Sequence, residues 1–175
     1  VPVVTYVNSS ADVKAETDIC CTSSNAVQVV ESLGVDRVIF LPDEYLGNYV
    51  QSLTAVKLIL WKGHCSVHQR FHPDHVTQVR QRHPGICVVS HPECRWEVTQ
   101  LSDDVGSTEH IIKRVRLAPA GSKFAIGTEI HLVNRLKHEN PDKLVIPLDD
   151  CGCLCSTMFR IDAAHLLWSL ENLAA

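Results

Sequence analysis

Asp18-Ile19-Cys20-Cys21-Thr22-Ser23-Ser24-Asn25-Ala26-Val27-Gln28-Val29-Val30-Glu31-Ser32-Leu33-Gly34 carries the decisive change of period. A short apolar run at 18–21 gives way to four polar residues. Ala26, Val29, Val30 and Leu33 then fall at i, i+3, i+4 and i+7 until Gly34. The first part reads as a strand and the second as an amphipathic helix stopped by glycine. A strand that feeds a helix is the building unit of an α/β protein with mainly parallel sheets.

The alternation continues in both directions. Apolar runs recur at 3–7, 37–41, 57–61, 86–90, 104–106, 123–127 and 144–148, with helical patterns between them. One such pattern, Ala163, Leu166, Leu167 and Leu170, lies near the end. Gly34, Pro42, Pro84 and Pro141 punctuate the elements. The second half also repeats the first. Tyr6-Val7-Asn8 aligns with His91-Pro92-Glu93 at a distance of 85 positions, and Ser23-Ser24 with Ser107-Thr108 at 84. Pro42-Asp43 aligns with Thr128-Glu129 at 86, and Cys65 with Cys155 at 90. Four landmarks in one order predict two copies of a βαβαβαβ unit of roughly 85 residues, within the size of a small domain. In such units ligands bind beyond the carboxyl ends of the strands. Tyr6, Asn8, His91 and Glu93 end strands, and Ser23, Ser24, Ser107 and Thr108 begin helices, so all are expected to face a shared cleft.

Composition narrows the function classes. The 175 residues hold 45% hydrophobic and 21% charged residues with a net charge of −4, an ordinary globular balance. Lys and Arg are scattered, so no basic stripe exists for nucleic acid, and no apolar run approaches the ~20 residues that span a bilayer. The chain opens at Val1, inside a strand-like run and without Met, and is expected to be a fragment or a piece cut from a longer protein. Eight cysteines are present, yet Cys20-Cys21 are adjacent and Cys151, Cys153 and Cys155 fall within five residues. That spacing, beside ten histidines, fits a metal or cluster site in a reducing cytoplasm better than a secreted disulfide framework.

Three constellations carry chemistry. The strand-to-helix steps at Ser23-Ser24 and Gly106-Ser107-Thr108 offer backbone N–H groups and hydroxyls to an anion, where the alternative is ordinary N-capping. Gly63-His64-Cys65-Ser66-Val67-His68 holds a C-x-x-H step, and Cys151-Gly152-Cys153-Leu154-Cys155-Ser156-Thr157-Met158 packs three thiols together. The thiols suit a soft metal, an iron–sulfur cluster or a redox pair. His91-Pro92-Glu93 joins a proton carrier near pH 7 to a carboxyl on a stiff turn, which suits general acid/base work.

These residues resemble one family. The segments Tyr6-Val7-Asn8-Ser9-Ser10-Ala11, Cys21-Thr22-Ser23-Ser24-Asn25-Ala26-Val27, Gly63-His64-Cys65-Ser66-Val67-His68, His91-Pro92-Glu93-Cys94, Val105-Gly106-Ser107-Thr108, Gly127-Thr128-Glu129 and Cys155-Ser156-Thr157-Met158 are similar to those of quinolinate synthase, type A, in order along the chain. The resemblance implies three-layer αβα domains around a pseudo-threefold axis. The second domain would occupy residues 1–67, the third 68–155 and a C-terminal helix 156–175, with the first domain missing. It implies a [4Fe–4S] cluster held by one Cys per domain, so Cys65 and Cys155 are the expected metal ligands. Cys155 is preferred to Cys151 and Cys153 because it precedes Ser-Thr-Met. It also implies that iminoaspartate and dihydroxyacetone phosphate condense to quinolinate, losing phosphate and water, in de novo NAD biosynthesis. A functional link to the enzyme supplying iminoaspartate follows. Tyr6, Asn8, Ser23, His68, His91, Glu93, Ser107 and Thr108 are then substrate-binding, and Glu93, Tyr6 and His91 catalytic. The competing readings are a Zn-dependent hydrolase or lyase using Cys65, His68 and the 151–155 loop, and a redox-sensing module in which that loop forms disulfides.

Overall fold

A computed structural model describes residues 1–150 and 154–173. The apolar runs form eight strands: β1 (Val3–Tyr6), β2 (Ile19–Cys21), β3 (Arg37–Leu41), β4 (Lys57–Leu60), β5 (Cys87–Ser90), β6 (Asp104–Val105), β7 (Lys123–Gly127) and β8 (Leu144–Pro147). Each lies within a residue of where the apolar runs place it. They pair into two four-stranded sheets of order β2-β1-β3-β4 and β6-β5-β7-β8, and every pairing is parallel. The α/β, two-sheet architecture expected from the alternation is therefore present.

Helices connect the strands of the first sheet as α1 (Ala11–Ala15), α2 (Ala26–Ser32) and α3 (Glu44–Leu53), and α4 (Pro73–Arg82) follows its last strand. For the second sheet the connecting helices are α5 (Trp96–Leu101), α6 (Thr108–Arg116) and α7 (Ile130–Glu139), and α8 (Ala163–Glu171) follows its last strand. The repeat extends to single hydrogen bonds. Gln69 N–H donates to Cys65 C=O at 3.0 Å and Phe71 N–H to His68 C=O at 3.2 Å; Phe159 N–H donates to Cys155 C=O at 3.0 Å and Ile161 N–H to Met158 C=O at 3.0 Å. Both sets belong to a 3₁₀ turn, His68–Arg70 or Met158–Arg160, placed just before a helix.

One expectation shifts. Ser23 and Ser24 do not open a helix; α2 starts at Ala26. The Asn25 side-chain oxygen accepts from Thr22 N–H at 2.7 Å and from the Thr22 hydroxyl at 2.9 Å. This closes residues 22–25 into a turn, and the side chain competes with helical pairing. Ser107 does cap α6, accepting from His110 N–H.

Packing sets the units against each other. Val30, Val38, Phe40, Leu46 and Val50 bury one face of the first sheet under α2 and α3. In the second sheet, Ile111, Phe124, Val133 and Leu136 do the same under α6 and α7. Its opposite face is covered by residues that precede it in sequence: Val67, Phe71, Val76 and Val79 of the 3₁₀ turn and α4 pack with Val88, Ala125 and Leu148. Each fully buried Val, Leu or Phe contributes about 1.5–3 kcal/mol. In α8 no residue is buried; Ile161 and Leu166, the repeat counterparts of Phe71 and Val76, are exposed, as is Trp168 at 65%.

Candidate functional site

Each sheet reverses its strand order between two neighbours, β1/β3 in the first and β5/β7 in the second, and a parallel α/β sheet opens a crevice there. The polar residues sit at those strand ends. Tyr6 ends β1, Asp43 follows β3, His91 and Glu93 follow β5, and Thr128 and Glu129 follow β7. The loops after β4 and β8 bring Cys65, His68 and Cys155. A cavity of about 780 Å³ is lined by Tyr6, Asn8, Asp43, Cys65, His68, Glu93, Glu129 and Cys155, among others. Cys65 and Cys155, from different units, open onto this one cavity and pack against the same apolar cluster.

Glu93 is the hub. Tyr6 O–H donates to its Oε2 at 3.1 Å, and Asn8 Nδ2 donates to the Tyr6 oxygen at 3.0 Å. The first contact joins residues 87 positions apart and ties the two units together. His91 Nδ1 lies 3.3 Å and His68 Nδ1 3.7 Å from the same Oε2. The two imidazoles stack at 4.8 Å between centroids. Glu93 is 4% exposed, and burial, followed by the nearby Asp43 charge, pushes its carboxyl up to about 8. Burial holds His68 down to about 4 and His91 well below its usual range, so both rings are neutral at physiological pH. Burial and then the Glu93 charge raise the Tyr6 phenol far above its ordinary value.

The hydrogen bonds fix one tautomer. Glu93 N–H donates to His91 Nδ1 at 3.3 Å, so the His91 proton is on Nε2 and points at Ser23 Oγ, 3.2 Å away. His68 lies between Cys65 Sγ, 3.1 Å from Nδ1, and Thr128 Oγ1, 3.2 Å from Nε2. Burial first, then the Glu93 charge, pushes the Cys65 thiol up to about 11. A cation must be beside it to hold it as thiolate.

Asp43 organises the Cys65 loop. Its Oδ1 accepts from Leu46 N–H at 2.7 Å, capping α3, and its Oδ2 accepts from Cys65 N–H at 2.9 Å. Glu44 N–H donates to Gly63 C=O at 2.8 Å beside them. Glu129 caps α7 in the same way, with its carboxylate on His131 N–H and ring nitrogen. In the sequence Asp43 and Glu129 stand out as repeat landmarks, and Thr128 and Glu129 also as part of the family motif, with no chemical part for any of the three; their matched position after the third strand of each sheet is the available signal.

Tyr6, Asn8, His68 and Glu93 thus meet at the cavity with Cys65 and Cys155, while His91 and Ser23 pair just behind Glu93. Ser107 and Thr108 are not among the residues lining this cavity; Ser107 spends its oxygen as the α6 cap and Thr108 is exposed. Cys151 and Cys153 lie outside the described residues. Among the described cysteines no disulfide forms; Cys21 is buried in the first sheet's core, and Cys94 Sγ donates to Gly127 C=O at 3.2 Å. Cys65, His68 and Glu93 form a group whose ligand atoms all lie within 4.8 Å of one another, so metal-binding chemistry is available here. No described helix is long and apolar enough to cross a membrane.

The family model for NadA, quinolinate synthetase A protein, matches residues 1–175. The chain belongs to the quinolinate synthase family. It is 49% identical to quinolinate synthase of Acidobacterium capsulatum over 203 residues, covering 97% of this chain and 54% of that protein. Against quinolinate synthase of Methanoregula boonei it is 51% identical over 164 residues, covering 94% and 54%. Against that of Bacillus subtilis it is 46% identical over 200 residues, covering 97% and 54%. The chain therefore spans about half the length of the quinolinate synthases it matches.

Proposed function

We propose that this chain supplies the second and third domains, residues 1–67 and 68–155 with the C-terminal helix after them, of a cytoplasmic quinolinate synthase. The full-length enzyme condenses iminoaspartate with dihydroxyacetone phosphate, losing phosphate and water, for NAD biosynthesis. The enzyme that supplies iminoaspartate is its functional partner. One observation carries this reading: thiols from two separate units, Cys65 and Cys155, open onto the cavity that holds the Tyr6–Glu93 pair. The exposed face of α8, whose counterpart α4 covers a sheet, supports a further domain in the whole protein.

The donor set fits a [4Fe–4S] cluster. Cys65 and Cys155 would be two of its ligands, since both open onto the one cavity and pack against the same apolar cluster. Bound by Cys65 and Cys155, such a cluster would supply a Lewis acid for a substrate oxygen. The chain's own residues handle substrate and protons. Glu93, with a carboxyl near 8, can release and regain a proton close to operating pH, as enolisation and dehydration require. His91, whose Nδ1 accepts from Glu93 N–H and lies 3.3 Å from Oε2, braces that carboxyl, and Ser23 holds the His91 ring in its tautomer. Tyr6 O–H, bonded to Glu93 and steadied by Asn8, orients the carboxyl and keeps a hydrogen-bond donor at the cavity wall. Neutral His68 faces substrate without repelling a cationic centre. By the family resemblance Ser107 and Thr108 would serve the departing phosphate; they stand outside the cavity lining, so that part would be played from the start of α6 rather than from the cavity wall.

The test uses the full-length protein reconstituted anaerobically. Iron and acid-labile sulfide should be stoichiometric and vanish in Cys65→Ala and in Cys155→Ala, but persist in Cys153→Ala; quinolinate should form only in the loaded protein. Zinc without sulfide, together with hydrolase or lyase turnover and no quinolinate, would instead support the hydrolase or lyase reading. Full iron and sulfide in Cys155→Ala would remove that ligand from the scheme.

A further inference from the structure

Cys65, His68 and Glu93 present three chemically different donors to one point, and the cluster reading uses only the first. We propose that Cys65 Sγ, His68 Nδ1 and a Glu93 carboxylate oxygen form a separate binding site for one divalent ion of the Zn²⁺/Co²⁺ class, with a fourth position open to the cavity. The three ligand atoms lie within 4.8 Å of one another, with Nδ1 3.1 Å from the sulfur and 3.7 Å from Glu93 Oε2. Bonds of about 2.0–2.3 Å in a tetrahedron separate donor atoms by roughly 3.3–3.8 Å. Both separations from His68 Nδ1 are thus close to that range, and the remaining one, between the sulfur and the carboxylate, has at most about 1 Å to close.

Charge and surroundings agree. A thiolate, a neutral imidazole and a carboxylate together cancel a 2+ ion, which removes the main penalty for putting an ion where His68 is 7% and Glu93 4% exposed. Sulfur and imidazole nitrogen favour zinc or cobalt over magnesium or calcium. Each ligand has a partner that aims it. Thr128 Oγ1, 3.2 Å from His68 Nε2, can accept a hydrogen bond from Nε2–H and leave the Nδ1 lone pair for the metal; Asp43 holds the Cys65 backbone; Tyr6 O–H orients Glu93. All three ligands line the cavity, which gives the ion its entry path and the fourth position its water. Because Cys65 serves both occupants, a zinc ion here and the proposed cluster exclude each other. That corollary alone rests on the cluster reading.

The test is a Co²⁺ titration of the full chain, stripped of metal by chelation and kept reduced and anaerobic. One equivalent should bind, with the intense visible bands of tetrahedral cobalt and a near-ultraviolet thiolate-to-cobalt band, and one equivalent of Zn²⁺ should displace it. Cys65→Ser should lose the thiolate band, and His68→Gln and Glu93→Gln should each weaken binding at least about tenfold. Cys155→Ser should bind cobalt as the parent does, whereas the proposed cluster would be lost in that variant; the two readings therefore fail separately. A thiolate band that survives in folded Cys65→Ser, or weak octahedral spectra in the parent, would overturn the site. If Cys65→Ser does not fold by circular dichroism, the decision passes to His68→Gln and Glu93→Gln, where undiminished affinity overturns it.

Discussion

Glu93 gathers a phenol and two imidazoles around one carboxyl oxygen, and its burial decides its chemistry. Glu93→Gln keeps the shape and removes the proton exchange. In the full-length enzyme it is expected to retain iron and sulfide but lose turnover by 10²-fold or more, on the order of the usual worth of a general acid/base; a normal steady-state rate would take Glu93 out of the reaction. Asp43 has the opposite role, since it holds a ligand in place. Asp43→Ala removes the α3 cap and orphans Cys65 N–H, which together cost about 2–4 kcal/mol and should lower the urea midpoint. At this scale much was legible in sequence. His91-Pro92-Glu93 and Cys65-x-x-His68 announce themselves because each pairs reactive residues within four positions. Ser23 against His91 and Thr128 against His68 are separated by 68 and 60 positions, and only the folded units bring them within 3.2 Å.

Elements explain why the ligand loop is firm. The segment after β4 is pinned at Gly63 and Cys65 to the start of α3 and then enters the 3₁₀ turn and α4. A Cβ at Gly63 would collide with the Pro42 carbonyl oxygen. Gly63→Ala is therefore expected to displace the loop and reduce metal content in the full-length protein while leaving helix content by circular dichroism unchanged. Downstream, Phe71 is fully buried between the turn and the second sheet, and Phe71→Ala should cost about 3–5 kcal/mol in denaturant unfolding. Strands were legible almost to the residue because buried parallel strands read as plain apolar runs. The start of α2 was not, because Asn25 turns its side chain back onto Thr22 and local hydrogen bonding overrides the apparent Ser cap.

At the scale of the molecule, the two units share one pattern with an unequal outcome. The helix that follows the first unit covers the second sheet, whereas the helix that follows the second unit is bare, with Ile161, Leu166 and Trp168 exposed. The heptad-like pattern of α8 was readable in sequence; which surface it serves was not, because periodicity records an apolar face and says nothing of its partner. Trp168 reports on that partner. Its fluorescence in this chain should resemble that of a hydrated indole and shift to the blue in the full-length protein, and an unchanged spectrum would count against a further domain seated there. The Tyr6–Glu93 contact has its own consequence. Since the phenol and the carboxyl hang from separate sheets, a slight rotation of one unit about the connection between them would part the pair without melting a strand. Mild denaturant should then silence proton transfer before it erodes the folded backbone signal, making the reactive centre the molecule's most sensitive gauge of misalignment.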